Sequence, residues 1–347
     1  MRTPRGAAKS TAGATFAGME SHTFGRIGRS ASVIGLGTWQ LGADWGEVSE
    51  SDALAVLEAA VGDGVTFLDT ADVYGDGRSE QVIGRFLRSH DGIFVATKMG
   101  RRVEQVPSNY TLPAFRSWLD RSRSNLGVDT IDLVQLHCPP TETIESSATY
   151  DALDTLVSEG VIAAYGVSVE TCDQALAAIA RPHVASIQII LNAFRLKPLD
   201  RVLPAAAEAG VGIIARVPLA SGLLSGRYSE STTFAADDHR TYNRHGEAFD
   251  VGETFSGVDF ATGVKAAQEF AALVSEHGPE GATPAQVALA WVAQQPGVTT
   301  VIPGARNTSQ AHANSAAGSL PPLSDELLAG VRRIYDTHFR EAVHSRW

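Results

Sequence analysis

Residues 65–98 read VTFLDTADVYGDGRSEQVIGRFLRSHDGIFVATK. The stretch opens with an apolar run, VTFLD (65–69), and turns through a segment rich in Gly and Asp. It continues as SEQVIGRFLRSH, whose apolar side chains recur at helical spacing, and ends in a second apolar run, IFVATK (93–98). Both runs are nearly continuous in apolar residues rather than alternating. Strands buried on both faces read this way, as in a parallel sheet covered by helices. The stretch is therefore one strand–helix–strand unit.

The same unit recurs outward from it. SVIGLG (32–37) precedes it, and IDLVQLH (131–137), IAAYGVS (162–168), ASIQIIL (185–191) and VGIIAR (211–216) follow. VTTVIP, ending just before Gly304, is the last. Between the runs lie helix-period segments such as DALAVLEAAVGDG, TYDALDTLVSEG and PAQVALAWVAQQ. The last places Pro284 after Thr283, a good N-cap. Eight strands alternating with helices predict an α/β fold, a (β/α)8 TIM barrel. The competing layout, an open doubly wound sheet, would carry GxGxxG after its first strand. The glycine spacing of GLGTWQLG (35–42) does not fit that pattern.

Three segments fall outside the repeat. MESHTFGRIGRSA (19–31) predicts a hairpin turning at Gly25 or Gly28, placed under the barrel. Residues 225–258 form a long polar loop after the seventh strand, and LSDELLAGVRRIYDTHF near the C-terminal end has helical periodicity. Residues 1–18 read as a disordered tail, with a transit peptide as the alternative, and 19–347 as a single barrel domain without a linker. The composition agrees with one large α/β barrel: 347 residues, 44% hydrophobic. The net charge of −11 argues against a nucleic-acid partner. No run of 18 apolar residues predicts a membrane span. Cys138 and Cys172 form no CxxC or metal cluster, so a reduced cytoplasmic setting is expected. No HExxH or DxDxDG predicts a bound metal.

Active residues of such barrels stand at the C-terminal ends of strands. Those ends hold Asp69, with Tyr74 five residues on, then Lys98, His137, Ser168 and Arg216. Singly, each has an ordinary structural reading: Asp69 a turn cap, Lys98 a surface lysine, His137 an interior histidine, Tyr74 loop packing. Together, an acid, a phenol, an ammonium and an imidazole on one rim can reduce a carbonyl. A hydride arriving at carbon leaves negative charge on oxygen, which a proton donor must meet. A free tyrosine titrates at about 10. Lys98 is expected to lower that value, Asp69 to hold the ammonium, and His137 to orient the carbonyl by a hydrogen bond.

At these residues the chain resembles the aldo-keto reductases. FLDTADVYGDGRSEQVIG, FVATKMG, IDLVQLHCPP, PLASGLLSGRY and VIPGARNTSQAHAN are all similar to segments of that family. The GLGTW opening and GARN ending look like its bacterial oxidoreductase branch, which also resembles the potassium-channel beta subunits. The resemblance implies the catalytic set Asp69, Tyr74, Lys98 and His137. It also implies NADPH/NADP+ bound in an extended pose across the rim, with a small-molecule carbonyl or alcohol as substrate. Ser168 and Gln188 would hold the nicotinamide carboxamide. Gly37, Thr38 and Trp39, with Asp69, would line the nicotinamide and substrate end. Arg216, Val217, Pro218, Leu219, Ser221, Gly222 and Leu223 would wrap the nicotinamide and pyrophosphate, and Arg227 would approach the phosphates. Gly304, Arg306, Gln310 and Asn314 would take the adenosine end, with Arg306 on the 2′-phosphate.

Two departures from the family pattern stand out. Arg216 occupies the place of a stacking tyrosine, and its charge would be repelled by an oxidised nicotinamide. Val169 follows Ser168 where an Asn is common. Substrate choice is expected in Trp39–Trp45, in 100–112, and in the 225–258 loop, whose His239, Arg240 and Arg244 suit either a lid or a solvated loop. The competing functions are a cofactor-binding regulatory subunit without turnover and a barrel hydrolase using paired carboxylates. For the latter, Glu170 is the only second acid near the rim strands.

Overall fold

A computed structural model describes residues 18–42 and 48–347. The expected tail, apart from Gly18, lies outside the described residues, as does Trp45. Two short strands, β1 (Ser21–Phe24) and β2 (Arg29–Ser32), pair antiparallel as a hairpin. Eight parallel strands follow: β3 (Leu36–Gly37), β4 (Phe67–Asp69), β5 (Phe94–Met99), β6 (Leu133–His137), β7 (Tyr165–Ser168), β8 (Val184–Ile190), β9 (Gly212–Arg216) and β10 (Val298–Val301). They are hydrogen-bonded in chain order. Backbone bonds from Gly35 to Val301 and from Gly37 to Pro303 join the last strand to the first. Helices cover the outside, so the fold is a (β/α)8 barrel. All eight expected strands are present. Ser32, read as the start of the first barrel strand, instead ends the hairpin, because its backbone pairs with Ser21.

The hairpin turns through residues 25–28 and closes the bottom of the barrel. Phe24 enters the floor, stacked on Phe67 (5.8 Å) and edge-on to Phe94 (5.3 Å). Gly212 leaves room for it, since a methyl group there would collide with the Phe24 ring. Arg26 donates to the carbonyls of Arg181 (2.5 Å) and Val184 (2.9 Å), and Arg29 pairs with Asp132 (2.5 Å). The hairpin's polar atoms are thus satisfied where they meet strand ends.

Above this floor, period-2 alternation sets the site. Phe94, Ala96, Leu133, Ala164 and Ile214 share an apolar cluster with the hairpin. One or two pleats higher, the same strands turn Lys98, Gln135, His137, Ser168 and Arg216 toward the upper mouth. The register aligns Lys98 with Gln135, His137 with Ser168, and Ser168 with Gln188. Helix starts are capped as the sequence implies. Thr283 and Gln286 form a capping box before the helix Pro284–Ala293, and Asn307 caps the helix Thr308–Ala316. Among the described residues, no helix is long and apolar enough to cross a membrane.

Candidate active site

Asp69 is the last residue of β4 and is buried to 2% exposure. One carboxylate oxygen accepts from Lys98 Nζ at 2.5 Å, and the other accepts from the side-chain amides of Gln188 (2.7 Å) and Gln135 (3.2 Å). The Lys98 ammonium also donates to the Thr70 carbonyl (2.7 Å) and the Tyr74 hydroxyl (3.4 Å). Tyr74 is brought back over the strand ends by a tight turn in which Gly75, Asp76 and Gly77 have φ of 58°, 52° and 94°. No side chain fits at Gly75, because its Cα faces the Gly42 carbonyl. His137 closes the group, with its ring 6.1 Å from that of Tyr74 in an edge-on arrangement. The four expected catalytic residues therefore converge.

Their electrostatics depart from the sequence expectation at one point. Burial pushes the Tyr74 hydroxyl above its ordinary range, and the Lys98 charge only partly offsets that rise. The expected net lowering is absent because desolvation of a phenolate outweighs one ammonium that is already paired with Asp69. Burial opposes the Lys98 charge too, but Asp69 and Tyr74 outweigh it and hold the ammonium above its usual range. Burial, followed by the nearby Arg101, Lys98 and Arg216, holds His137 well below its usual range, so its ring is neutral. Its Nδ1 is buried without a hydrogen-bond partner among the described residues.

A cavity of roughly 740 Å³ extends from this group across the rim. It is lined by every residue expected at the cofactor or substrate end except Leu223: Gly37, Thr38, Trp39, Ser168, Gln188, Arg216, Val217, Pro218, Leu219, Ser221, Gly222, Arg227, Gly304, Arg306, Gln310 and Asn314. Leu223 is fully buried and packs where a side chain at Gly263 would stand, so it belongs to the core. Lys98 lies behind Asp69 and Tyr74 and reaches the cavity only through them.

The groove suits a phosphorylated dinucleotide. Val217, Ala220, Ser221 and Gly222 all have left-handed φ (52°, 49°, 56° and 92°), a backbone form that gathers N–H groups into anion-binding hollows. Arg227 and Arg306 line the same wall, and the helix Thr308–Ala316 starts beside Arg306. At Gly304 a methyl group would strike the Gln40 amide, so the lack of a side chain lets Gln40 lie against the groove wall there.

Arg216 lines the groove as expected and carries a partner of its own. Its guanidinium is paired with Glu253 and donates to the Val169 carbonyl at 3.2 Å. Burial disfavours its charge, but the Glu253 carboxylate outweighs that and keeps it ionised. Glu253 is likewise held low against its own burial, chiefly by Arg216. The cation is thus matched by a carboxylate, which weakens the repulsion expected toward an oxidised nicotinamide. Val169, the second departure, supplies that carbonyl.

The 225–258 segment folds over the groove. His239, Arg240 and Glu253 line the cavity, and His239 and Phe249 pack against Trp39 at 5.3 and 6.0 Å between ring centroids. Arg244 instead lies over Phe255 and Phe260. In the 100–112 stretch, Gln105 donates to the carbonyls of His137 (2.9 Å) and Cys138 (3.0 Å) and so braces the His137 turn. Glu170, the candidate second acid, faces Arg101 at 3.6 Å, and burial raises its carboxyl.

Gln135 and Glu253 were not anticipated. Gln135 was legible, two residues before His137 on the same strand face. Glu253 was not, because no periodicity in the long loop marks which acid meets Arg216.

Comparison with known proteins agrees with this fold. Residues 33–336 match the sequence model of the Aldo/keto reductase family. The aldo-keto reductase str7 of Strobilurus tenacellus is 34% identical over 325 residues, covering 89% of this chain and 90% of its own. The structure of glycerol dehydrogenase AKR11B4 from Gluconobacter oxydans superposes with a TM-score of 0.73 at 29% identity, over 94% of this chain and 97% of that one. An aldo-keto reductase from Klebsiella pneumoniae in complex with NADPH superposes with a TM-score of 0.67 at 25% identity, over 91% and 95%. The chain belongs to the aldo/keto reductase family.

Proposed function

We propose that the protein is an NADP(H)-dependent carbonyl reductase, working in either direction, with Tyr74 as proton donor and the nicotinamide ring at the Tyr74–Arg216 end of the groove. The observation that carries this reading is the Asp69–Lys98–Tyr74 chain of contacts opening beside His137 into one cavity. Arg306, Gln310 and Asn314 would hold the adenosine end, Ser221, Gly222 and Arg227 the phosphates, and Ser168 and Gln188 the carboxamide. The Klebsiella relative's NADPH complex supports the choice of cofactor.

When bound, NADPH supplies the hydride. The chain's own residues manage the charge that follows. Tyr74 keeps its proton in the buried site and gives it to the carbonyl oxygen as that oxygen becomes negative. Lys98 faces the hydroxyl and stabilises the phenolate left behind, while Asp69 keeps Lys98 charged and fixed. Neutral His137 retains one N–H with which to orient the carbonyl. Trp39, His239 and Phe249 form an aromatic wall that shields the reacting atoms from water.

A direct test is turnover of 4-nitrobenzaldehyde, followed as loss of NADPH absorbance. The reading expects steady consumption that needs both reactants. NADPH binding without turnover across a panel of aldehydes and ketones would instead favour a regulatory subunit.

A further inference from the structure

The 250–257 segment carries Glu253 into the groove, and several of its contacts lie behind it. On the groove side, Glu253 pairs with Arg216, and Ser221 Oγ donates to the Glu253 carbonyl at 2.5 Å. Phe255 N donates to the same hydroxyl at 3.3 Å. On the far side stands Trp347, buried to 7% exposure. The Arg195 guanidinium lies 3.9 Å from the indole centroid and that of Arg346 lies 5.0 Å from it. Arg195 is almost fully buried, and its Nε and Nη1 have no hydrogen-bond partner among the described residues. Its Nη2 donates to the Glu170 carbonyl at 2.7 Å and Asp250 is the carboxylate that most offsets its burial, while the indole face covers the guanidinium's remaining surface.

Above the indole the backbone is bare. A methyl group at Gly252 would strike Arg195 Nη1 and lie 2.9 Å from Trp347 Cη2, and one at Gly257 would lie 3.1 Å from Cζ2. Arg346 Nη1 donates to the Gly257 carbonyl at 3.2 Å. Phe255, Ser256 and Gly257 are consecutive left-handed residues, with φ of 50°, 56° and 73°. Two of these are not glycine, so this backbone form is held by its surroundings rather than preferred by its sequence.

We propose that Trp347 is a positioning residue for the cofactor groove. Packed on the guanidiniums of Arg195 and Arg346 and, together with Arg195, against Gly252 and Gly257, it holds the 250–257 segment in the form that keeps Glu253 on Arg216, and thereby sets how the groove discriminates oxidised from reduced nicotinamide. The proposal rests on the reading above, in which the nicotinamide ring sits at the Tyr74–Arg216 end. A paired Arg216 exerts a weak net field, whereas an unpaired guanidinium repels the cationic ring of NADP+ and leaves the neutral ring of NADPH nearly unaffected. Loosening that hold therefore weakens NADP+ selectively, which a general loss of packing would not do.

The test is calorimetric dissociation constants for NADP+ and NADPH in the wild type, Trp347→Ala, Trp347→Leu, Trp347→Phe, Glu253→Gln and the Trp347→Ala/Glu253→Gln double variant. The Kd ratio of NADP+ to NADPH should rise about 5- to 30-fold in Trp347→Ala and in Glu253→Gln. It should rise less steeply in Trp347→Leu, which keeps bulk without a π face, and stay near wild type in Trp347→Phe. In the double variant it should match Glu253→Gln alone, because both changes act through one pair. Equal weakening of both cofactors, an unchanged ratio in Trp347→Ala and Trp347→Leu, or multiplied effects in the double variant would overturn the proposal. A wild type that binds neither cofactor would overturn the functional reading together with it.

Discussion

Asp72 stands three residues from Asp69 and two from Tyr74, fully buried, with no side chain hydrogen-bonded to its carboxylate among the described residues. Burial, reinforced by the charge of Glu80, raises its pKa from 3.8 to about 7, against the opposing pull of Arg102, Lys98 and the Val73 backbone N–H. The folded chain therefore holds a proton that the unfolded chain releases near pH 4. Stability from this group is complete below the unfolded value and is lost as pH rises through about 7. The loss is on the order of 4 kcal/mol. Asp72→Asn, neutral in both states, should gain melting temperature relative to the wild type as pH is raised from 4 to 8. Melting curves across that range check this, and a difference that stays flat with pH contradicts it. At this scale the sequence shows the acid, but not that the fold buries it without a side-chain hydrogen bond.

Strand ends and helix starts were the most legible features, because their signals are local. The apolar runs marked each barrel strand, and the Thr283–Pro284 pair marked its helix. What local signals missed was contact across the barrel. Gly212 looks like an ordinary strand glycine, yet its missing side chain is where Phe24 enters from nearly 190 residues away in sequence. Gly212→Ala should destabilise the fold by about 1–3 kcal/mol through overpacking, measured by chemical denaturation, with cofactor affinity at low temperature unchanged. A neutral effect on stability would mean that the hairpin does not fill the floor. At the helix Thr308–Ala316, Arg306 stands beside the N-terminus, and its backbone N–H donates to Gln310 at 2.8 Å. Arg306→Ala should raise the Kd for NADPH about 10- to 100-fold and that for NADH less than threefold. Equal weakening of the two, by fluorescence titration, would remove it from the 2′-phosphate.

Across the whole molecule, one alternation does two tasks. The lower inward positions pack on the hairpin as a floor, and the upper ones present Lys98, Gln135, His137, Ser168 and Arg216 to the mouth. Of the candidate set, Asp69, Lys98 and His137 were readable because they stand at or beside strand ends of this regular lattice. The 225–258 loop and its His239 were readable as a candidate for the open side of the groove, but not which of its residues enter, because Glu253 and Phe249 reach the groove or its Trp39 wall by loop geometry alone. The central claim is that the Tyr74 hydroxyl delivers the proton, and replacing that one atom tests it most directly. Tyr74→Phe, mixed with NADPH and 4-nitrobenzaldehyde, should bind NADPH within about threefold of the wild type while losing at least about 100-fold in reduction rate. Reduction at the wild-type rate, with the cofactor bound normally, would contradict it.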